Sequence, residues 1–136
     1  VKLLLLYCPR FAFAAHEKSL PGAPDDARSG AHADCVVALV HAEPRDLDDR
    51  SGVETKLVKN VKWLAGKFGS RRAVLHFFSH LGSESADPAA AREIVGRAAE
   101  RLRGAGYEAA VTPFGYFCSL DFSVAGPSLA KVFKEF

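Results

Sequence analysis

The sequence predicts an α/β fold in which a mixed β-sheet is covered by helices. Three observations carry this prediction. Residues 2 to 8 and 35 to 42 are almost wholly apolar, two longer stretches repeat apolar residues at helical spacing, and strand-like and helix-like segments succeed one another. With 136 residues, 49% hydrophobic and 25% charged, the chain suits one domain with a core of its own. No apolar run approaches the roughly 20 residues of a membrane span, and Leu3-Leu4-Leu5-Leu6 is too short for a signal sequence. A cytoplasmic setting is expected.

The elements follow in order. Residues 2 to 8 lack polar alternation, as a central strand covered on both faces does. After Pro9-Arg10, Phe11-Ala12-Phe13 alternates as a second strand. Pro21-Gly22-Ala23-Pro24-Asp25-Asp26 has turn chemistry and opens a loop expected to reach Ala33. The Val- and Leu-rich run from Cys35 is a third strand, stopped by Glu43-Pro44 because proline cannot continue a ladder. Ser51-Gly52-Val53-Glu54 fits a capping box that would start a helix. Val53, Leu57, Val61, Leu64, Ala65 and Phe68 line one face of that helix, and Gly69 stops it. Val74 to Phe78 is an apolar strand that empties into a polar loop. Asp87-Pro88 then supplies an N-cap and a first-turn proline, and Ile94, Ala98 and Leu102 share a face until Gly104 and Gly106. Tyr107 to Val111 and Tyr116 to Val124 are strands, and Gly126-Pro127 leads to a short last helix through Leu129, Val132 and Phe133. The expected order is β, β, β, α, β, α, β, β, α.

Composition excludes some function classes. A net charge of +2 is too mild to announce a nucleic-acid binder by electrostatics alone, although a protein gripping only a tRNA end needs no more. Cys8, Cys35 and Cys118 are odd in number and widely spaced, which fits a reducing compartment and gives no zinc or redox pair. His76 and His80 are four apart, but Phe77-Phe78 between them argue for a strand, where such residues lie too far apart to share one ion. No metal or other cofactor is expected. His80 stands out because it falls where a strand gives way to a loop with Ser79, Ser83 and Glu84, exposed to solvent and ligand.

The run Val74-Leu75-His76-Phe77-Phe78-Ser79-His80-Leu81-Gly82-Ser83-Glu84, with Thr112-Pro113-Phe114-Gly115-Tyr116-Phe117 about thirty residues later, resembles the N-terminal proofreading domain of archaeal threonyl-tRNA synthetases. The resemblance runs from Lys2-Leu3-Leu4-Leu5 to Leu129-Ala130, so that residues 1–136 form one aminoacyl-tRNA editing domain. It implies a D-aminoacyl-tRNA deacylase-like fold that dimerises. The implied activity is hydrolysis of serine from mischarged threonine tRNA, with the 2′-hydroxyl of the terminal adenosine assisting a positioned water. The implied partners are the 3′ end of that tRNA carrying serine, a second copy of the chain, and a separate or fused synthetase catalytic module.

The resemblance also implies site residues. His80 matches the pocket histidine, with Phe77 and Ser79 beside it. Phe114, Gly115, Tyr116 and Phe117 match a Pro-Phe-Gly-Tyr-Tyr segment that walls the amino-acid pocket, with phenylalanine replacing its last tyrosine. Ala42 and Glu43 align with backbone that grips the substrate. Cys118 stands where relatives carry a lysine that orders the catalytic water, and a thiol cannot donate like an ammonium. By alternation Cys118 shares a more apolar face with Tyr116, Leu120 and Phe122. Lys131, where relatives carry a glutamate near that lysine, or Lys18, which aligns with another family lysine, could restore the charge. Two other readings stand beside this one. D-aminoacyl-tRNA deacylation shares the fold and substrate end, although the Ser-Gln-Phe-Thr-Leu and Asn-x-Gly-Pro segments of those enzymes are absent. A non-catalytic aminoacyl-tRNA-binding or dimerisation module is the other.

Overall fold

The apolar run that begins at Lys2 does not stop at Pro9. In the computed structural model, which describes residues 1–136, one strand, β1, covers Lys2–Lys18. The expected break into two strands is absent because of how β1 is paired. Strand β2 (Ser29–His41) runs antiparallel along one edge of it. The other edge is shared in tandem: β5 (Tyr116–Ser123) covers Arg10 to Lys18, and β6 (Lys131–Glu135) covers Lys2 to Leu6. Pro9 falls in the gap between these two partners, where no ladder bond requires its missing N–H.

The pairing with β2 skips Pro9 and Asp34, and Asp34 has a left-handed φ of 49°. The inward-facing parity of both strands changes there. Leu3, Leu5 and Tyr7 join Val36, Ala38 and Val40 in the main core, whereas Phe11 and Phe13 join Cys8, Cys35, Val37, Leu39 and Val74 in a second core. The outer half of the β1–β2 hairpin therefore curls over the sheet's second face. β3 (Arg72–Phe77) and β4 (Glu108–Val111) extend the sheet in parallel beyond β2, giving the order β4-β3-β2-β1-β5 with β6 also on β1. This is the mixed sheet the sequence predicts.

Two helices, α1 (Arg50–Lys67) and α2 (Pro88–Gly104), cover the main core. Leu57 and Leu64 of α1 and Ile94 and Leu102 of α2 are fully buried, each contributing about 1.5 to 3 kcal/mol of apolar transfer. The start of α1 differs from expectation. Asp49, not Ser51, is the N-cap, and its carboxylate accepts from the Gly52 N–H at 3.0 Å. A side chain at position 52 would collide with that carboxylate. Asp87 caps α2 as expected, accepting from Ala89 and Ala90 N–H.

Three other expectations are corrected. The loop expected to reach Ala33 ends earlier, because Ser29–Asp34 pairs with the outer half of β1 despite having no apolar alternation. Pro44–Asp48 forms a 3-10 turn that the sequence reading lacked. The last helix is a three-residue 3-10 turn, Ser128–Ala130, followed by β6. Val132 and Phe133 fit either period in so short a run. The open edge of β1, which β6 closes by pairing Leu6 with Lys131 through Lys2 with Glu135, decides in favour of strand.

Candidate functional site

Strands β2, β3 and β4 run parallel in the sense that matters for a site, their carboxyl ends lying together where α2 begins. In open α/β sheets this is where ligands sit. A cleft of about 270 Å³ opens there. Val40 and Ala42 from the end of β2, Phe77 from the end of β3, and Pro88 and Ala91 from the first turn of α2 form its floor and one side. Ser79, His80, Ser85 and Ala86 from the β3–α2 loop form a second wall. Phe114 to Phe117, with Ser19 and Leu20 behind them, close the third. Other hollows over the outer hairpin, around Phe11, His32 and Arg72, lie away from the carboxyl ends of β2 and β3 and include none of residues 77–80 or 114–117.

The aromatic wall is built by specific contacts. Phe77 meets Phe114 edge-on at 5.3 Å between ring centroids, and the Arg92 guanidinium lies 5.0 Å from the Phe114 centroid. Gly115 has φ 73°, and its carbonyl accepts from Ser19 N–H at 2.7 Å and Leu20 N–H at 3.2 Å. A Cβ there would fall 2.5 Å from that of Ala23, so both the conformation and the space require glycine. The Tyr116 hydroxyl accepts from Asp26 N–H at 3.0 Å and so fixes the 19–28 loop. Phe117 is 55% exposed at the rim.

Two histidines flank the β3 end differently. His80 is exposed, its ring edge-on to Phe78 at 4.9 Å. His76 is turned into the core, with Nδ1 2.7 Å from the Thr112 hydroxyl, and burial followed by the neighbouring His80 lowers its pKa from 6.5 to about 4. No three His, Cys, Asp or Glu side chains gather in the geometry of a metal centre.

Eight of the residues singled out from sequence line the cleft: Ala42, Phe77, Ser79, His80, Phe114, Gly115, Tyr116 and Phe117. The others do not. The Ala42 carbonyl is taken by Ala86 N–H at 2.9 Å and the Glu43 N–H by Asp46 at 2.7 Å, so these two backbone groups are engaged within the protein, while Ala42 lines the cleft. The Glu43 carboxylate points at cations. Burial opposes its ionisation, yet Lys2 at 2.6 Å and the Val1 amino group at 3.2 Å prevail and hold its pKa at about 2. Lys18 pairs in the sheet with Tyr116, immediately before the lining residue Ser19, and its ammonium holds Asp25 at 2.5 Å. Cys118 lies on the Tyr116, Leu120 and Phe122 face, as alternation predicts, and burial raises its pKa, leaving a neutral thiol. Lys131 lies in β6, off the cleft, with its ammonium donating to the carbonyls of Ala125, Gly126 and Pro127 at 2.9 to 3.3 Å. The sequence reading missed Ser19, Leu20, Val40, Ser85, Ala86, Pro88 and Ala91 of the lining, and Arg92 against Phe114. The strand-end rule applied to Asp87-Pro88 was the available signal, because it marks a helix start that follows a parallel strand.

The curled mixed sheet, the helices on one face and the amino acid-sized cleft at the strand ends define a protein of the D-aminoacyl-tRNA deacylase-like fold. The solved c-Myc DNA unwinding element binding protein matches 100% of this chain and 99% of its own with a TM-score of 0.70 at 11% identity, which shows a shared fold. The chain belongs to the archaea-specific editing domain family of threonyl-tRNA synthetase, whose family model matches residues 1–136. Among similar proteins are the threonine–tRNA ligases of Thermofilum pendens (29% identical, 97% of this chain), Thermococcus kodakarensis (27%, 97%) and Methanococcus maripaludis (27%, 99%). In each case the chain spans 22% of the relative's length.

Proposed function

We propose that the domain hydrolyses serine from mischarged threonine tRNA and spares threonine. The observation that carries this is the cleft itself, where the strand-end histidine and the Phe114-Gly115-Tyr116 turn meet in a space the size of an amino-acid ester. The family assignment supports tRNA proofreading as the broad activity.

An aminoacyl ester is already activated, so its hydrolysis needs an oriented water, help for the developing oxyanion and a fitted side-chain pocket, with no covalent nucleophile. Water adds to the ester carbonyl, the bond to the ribose oxygen breaks, and that oxygen leaves as the hydroxyl of the terminal adenosine. The neighbouring 2′-hydroxyl assists by orienting the water. His80, Ser79 and Ser85 supply the polar groups along one wall, and Phe77, Phe114 and the Ala42 methyl set the pocket's width. Lys18, paired with Tyr116 in the sheet and adjacent in sequence to the lining residue Ser19, stands in for the family lysine absent at Cys118. Lys131, in β6 and off the cleft, does not. One methyl distinguishes threonine from serine, a difference of about 1 to 3 kcal/mol for a synthesis site. A second site that excludes the larger amino acid multiplies that discrimination.

The test is the hydrolysis rate of Ser-tRNA against Thr-tRNA, both on threonine tRNA, with a chelator present. Chelator-resistant loss of serine with threonine retained is expected. Faster hydrolysis of a D-seryl than an L-seryl ester would point instead to a D-aminoacyl-tRNA deacylase. Binding without release would point to a binding module. The synthetase catalytic module and a second copy of the chain are the proposed partners.

A further inference from the structure

The β3–α2 loop, which walls the cleft with Ser79 and His80 at one end and Ser85 and Ala86 at the other, is pinned to the end of β2. Its ends are held by backbone: Phe78 N–H donates to the Val40 carbonyl at 3.0 Å and Ala86 N–H to the Ala42 carbonyl at 2.9 Å. Between them, the hydrogen bonds of residues 81 to 85 all go to one ring, that of His41. Leu81 N–H donates to His41 Nδ1 at 3.1 Å, Nε2 lies 2.7 Å from the Glu84 carbonyl, and the Ser85 hydroxyl is 3.4 Å from Nε2. An amide N–H can only donate, so Nδ1 carries a lone pair. A carbonyl can only accept, so the proton sits on Nε2. Both partners therefore select the same neutral tautomer.

His41 itself is 1% exposed, whereas Ser83, Glu84 and Ser85 are exposed and no residue of 81 to 85 belongs to either apolar core. The ring is thus a rigid post set in the sheet, and the loop is a segment with no apolar anchor of its own. Segments of that kind open locally unless something fixes them. We infer that His41 is a positioning residue for the cleft: its neutral ring clamps the 81–85 loop and thereby sets the distance between the His80 wall and the aromatic wall. It acts through His80, Ser85 and Ala86 and does not touch the substrate. The inference rests on the editing reading for its kinetic consequence but not for its structural one.

The experiment has an arm for each. In the native chain at pH 7, imidazole nitrogen NMR should show His41 neutral with the proton on Nε2; a charged ring or the Nδ1–H tautomer overturns the clamp. His41→Phe keeps a ring and removes both bonds, whereas His41→Asn keeps an acceptor in the place of Nδ1. The Leu81 amide should exchange at least tenfold faster in the Phe variant, return to within threefold of the native rate in the Asn variant, and leave the β1 amides unchanged. Equal Leu81 exchange in all three proteins overturns the inference whether or not the domain edits. In Ser-tRNA hydrolysis, KM should rise at least tenfold in the Phe variant with kcat within threefold, and the Asn variant should recover most of it. Equal losses in both variants, tracking a fall in Tm, would reduce His41 to a structural residue and overturn the inference. If the native chain releases no serine, the editing reading fails, and the exchange and tautomer arms still decide the clamp. If the Phe variant does not fold, the native tautomer and the Asn variant's Leu81 exchange decide it.

Discussion

Acid should unfold this domain earlier than its carboxylates alone would dictate, and His76 is the reason. Its ring is 6% exposed and bonded to Thr112, and burial lowers its pKa from 6.5 to about 4. Between those two values the unfolded chain binds a proton there that the folded chain does not, so stability rises with pH across that window. The contribution is complete above about pH 6.5 and is lost as pH falls towards 4. At pH 4.5 roughly two pKa units separate folded from unfolded occupancy, a loss of about 2 to 3 kcal/mol at 1.36 kcal/mol per unit. That is a substantial part of the roughly 5 to 15 kcal/mol of an ordinary domain. Urea unfolding at pH 7.5 and 4.5 for the native chain and for His76→Gln isolates it, because every other group titrates alike in both. The drop in stability between the two pH values should be about 2 to 3 kcal/mol smaller in the variant. Equal drops would refute the reasoning, as would an NMR titration in which His76 protonates near pH 6.5 in the folded protein.

Other outcomes are expected at the cleft. Lys18→Ala should slow serine release at least tenfold with Tm unchanged within a few degrees; full activity would remove lysine assistance from the site. Cys118→Ala should leave the rate within about twofold, since a half-buried neutral thiol is a poor nucleophile, and a complete loss of activity would reverse that assignment. Gly115→Ala places a side chain in the left-handed region against Ala23. It should cost about 1 to 3 kcal/mol in chemical denaturation and weaken serine selectivity together with it.

Much of this architecture was legible because the relevant patterns are local. Asp87-Pro88 fixes the start of α2 by side-chain capping, and the alternation from Tyr116 places Cys118 correctly on the inner face of β5. Where the expectation failed, the deciding partner was distant in sequence. Ser29–Asp34 is a strand only because the outer half of β1 needs a neighbour, and residues 131–135 are a strand because Lys2 to Leu6 offer an open edge. Pro9 signals a break that tandem pairing makes harmless. The cleft shows the same division. The strand-end loop and the Phe114-Gly115-Tyr116 turn are sequence motifs, whereas Ala91 and Arg92 reach the site only through packing. The setting expected for Lys131 changes for a related reason: it lies in β6 and not in a helix, and its ammonium closes the turn before it.

The tandem sharing of β1 also has a consequence for how the chain is made. The segment Leu3-Leu4-Leu5-Leu6 leaves the ribosome more than 120 residues before the strand that covers its second edge. During that interval β2 satisfies one side, and the other is an apolar, unpaired ribbon of the kind that recruits foreign strands. Substitutions that weaken β6, such as Val132→Pro, should therefore show themselves first as poor soluble yield, before any defect in the cleft.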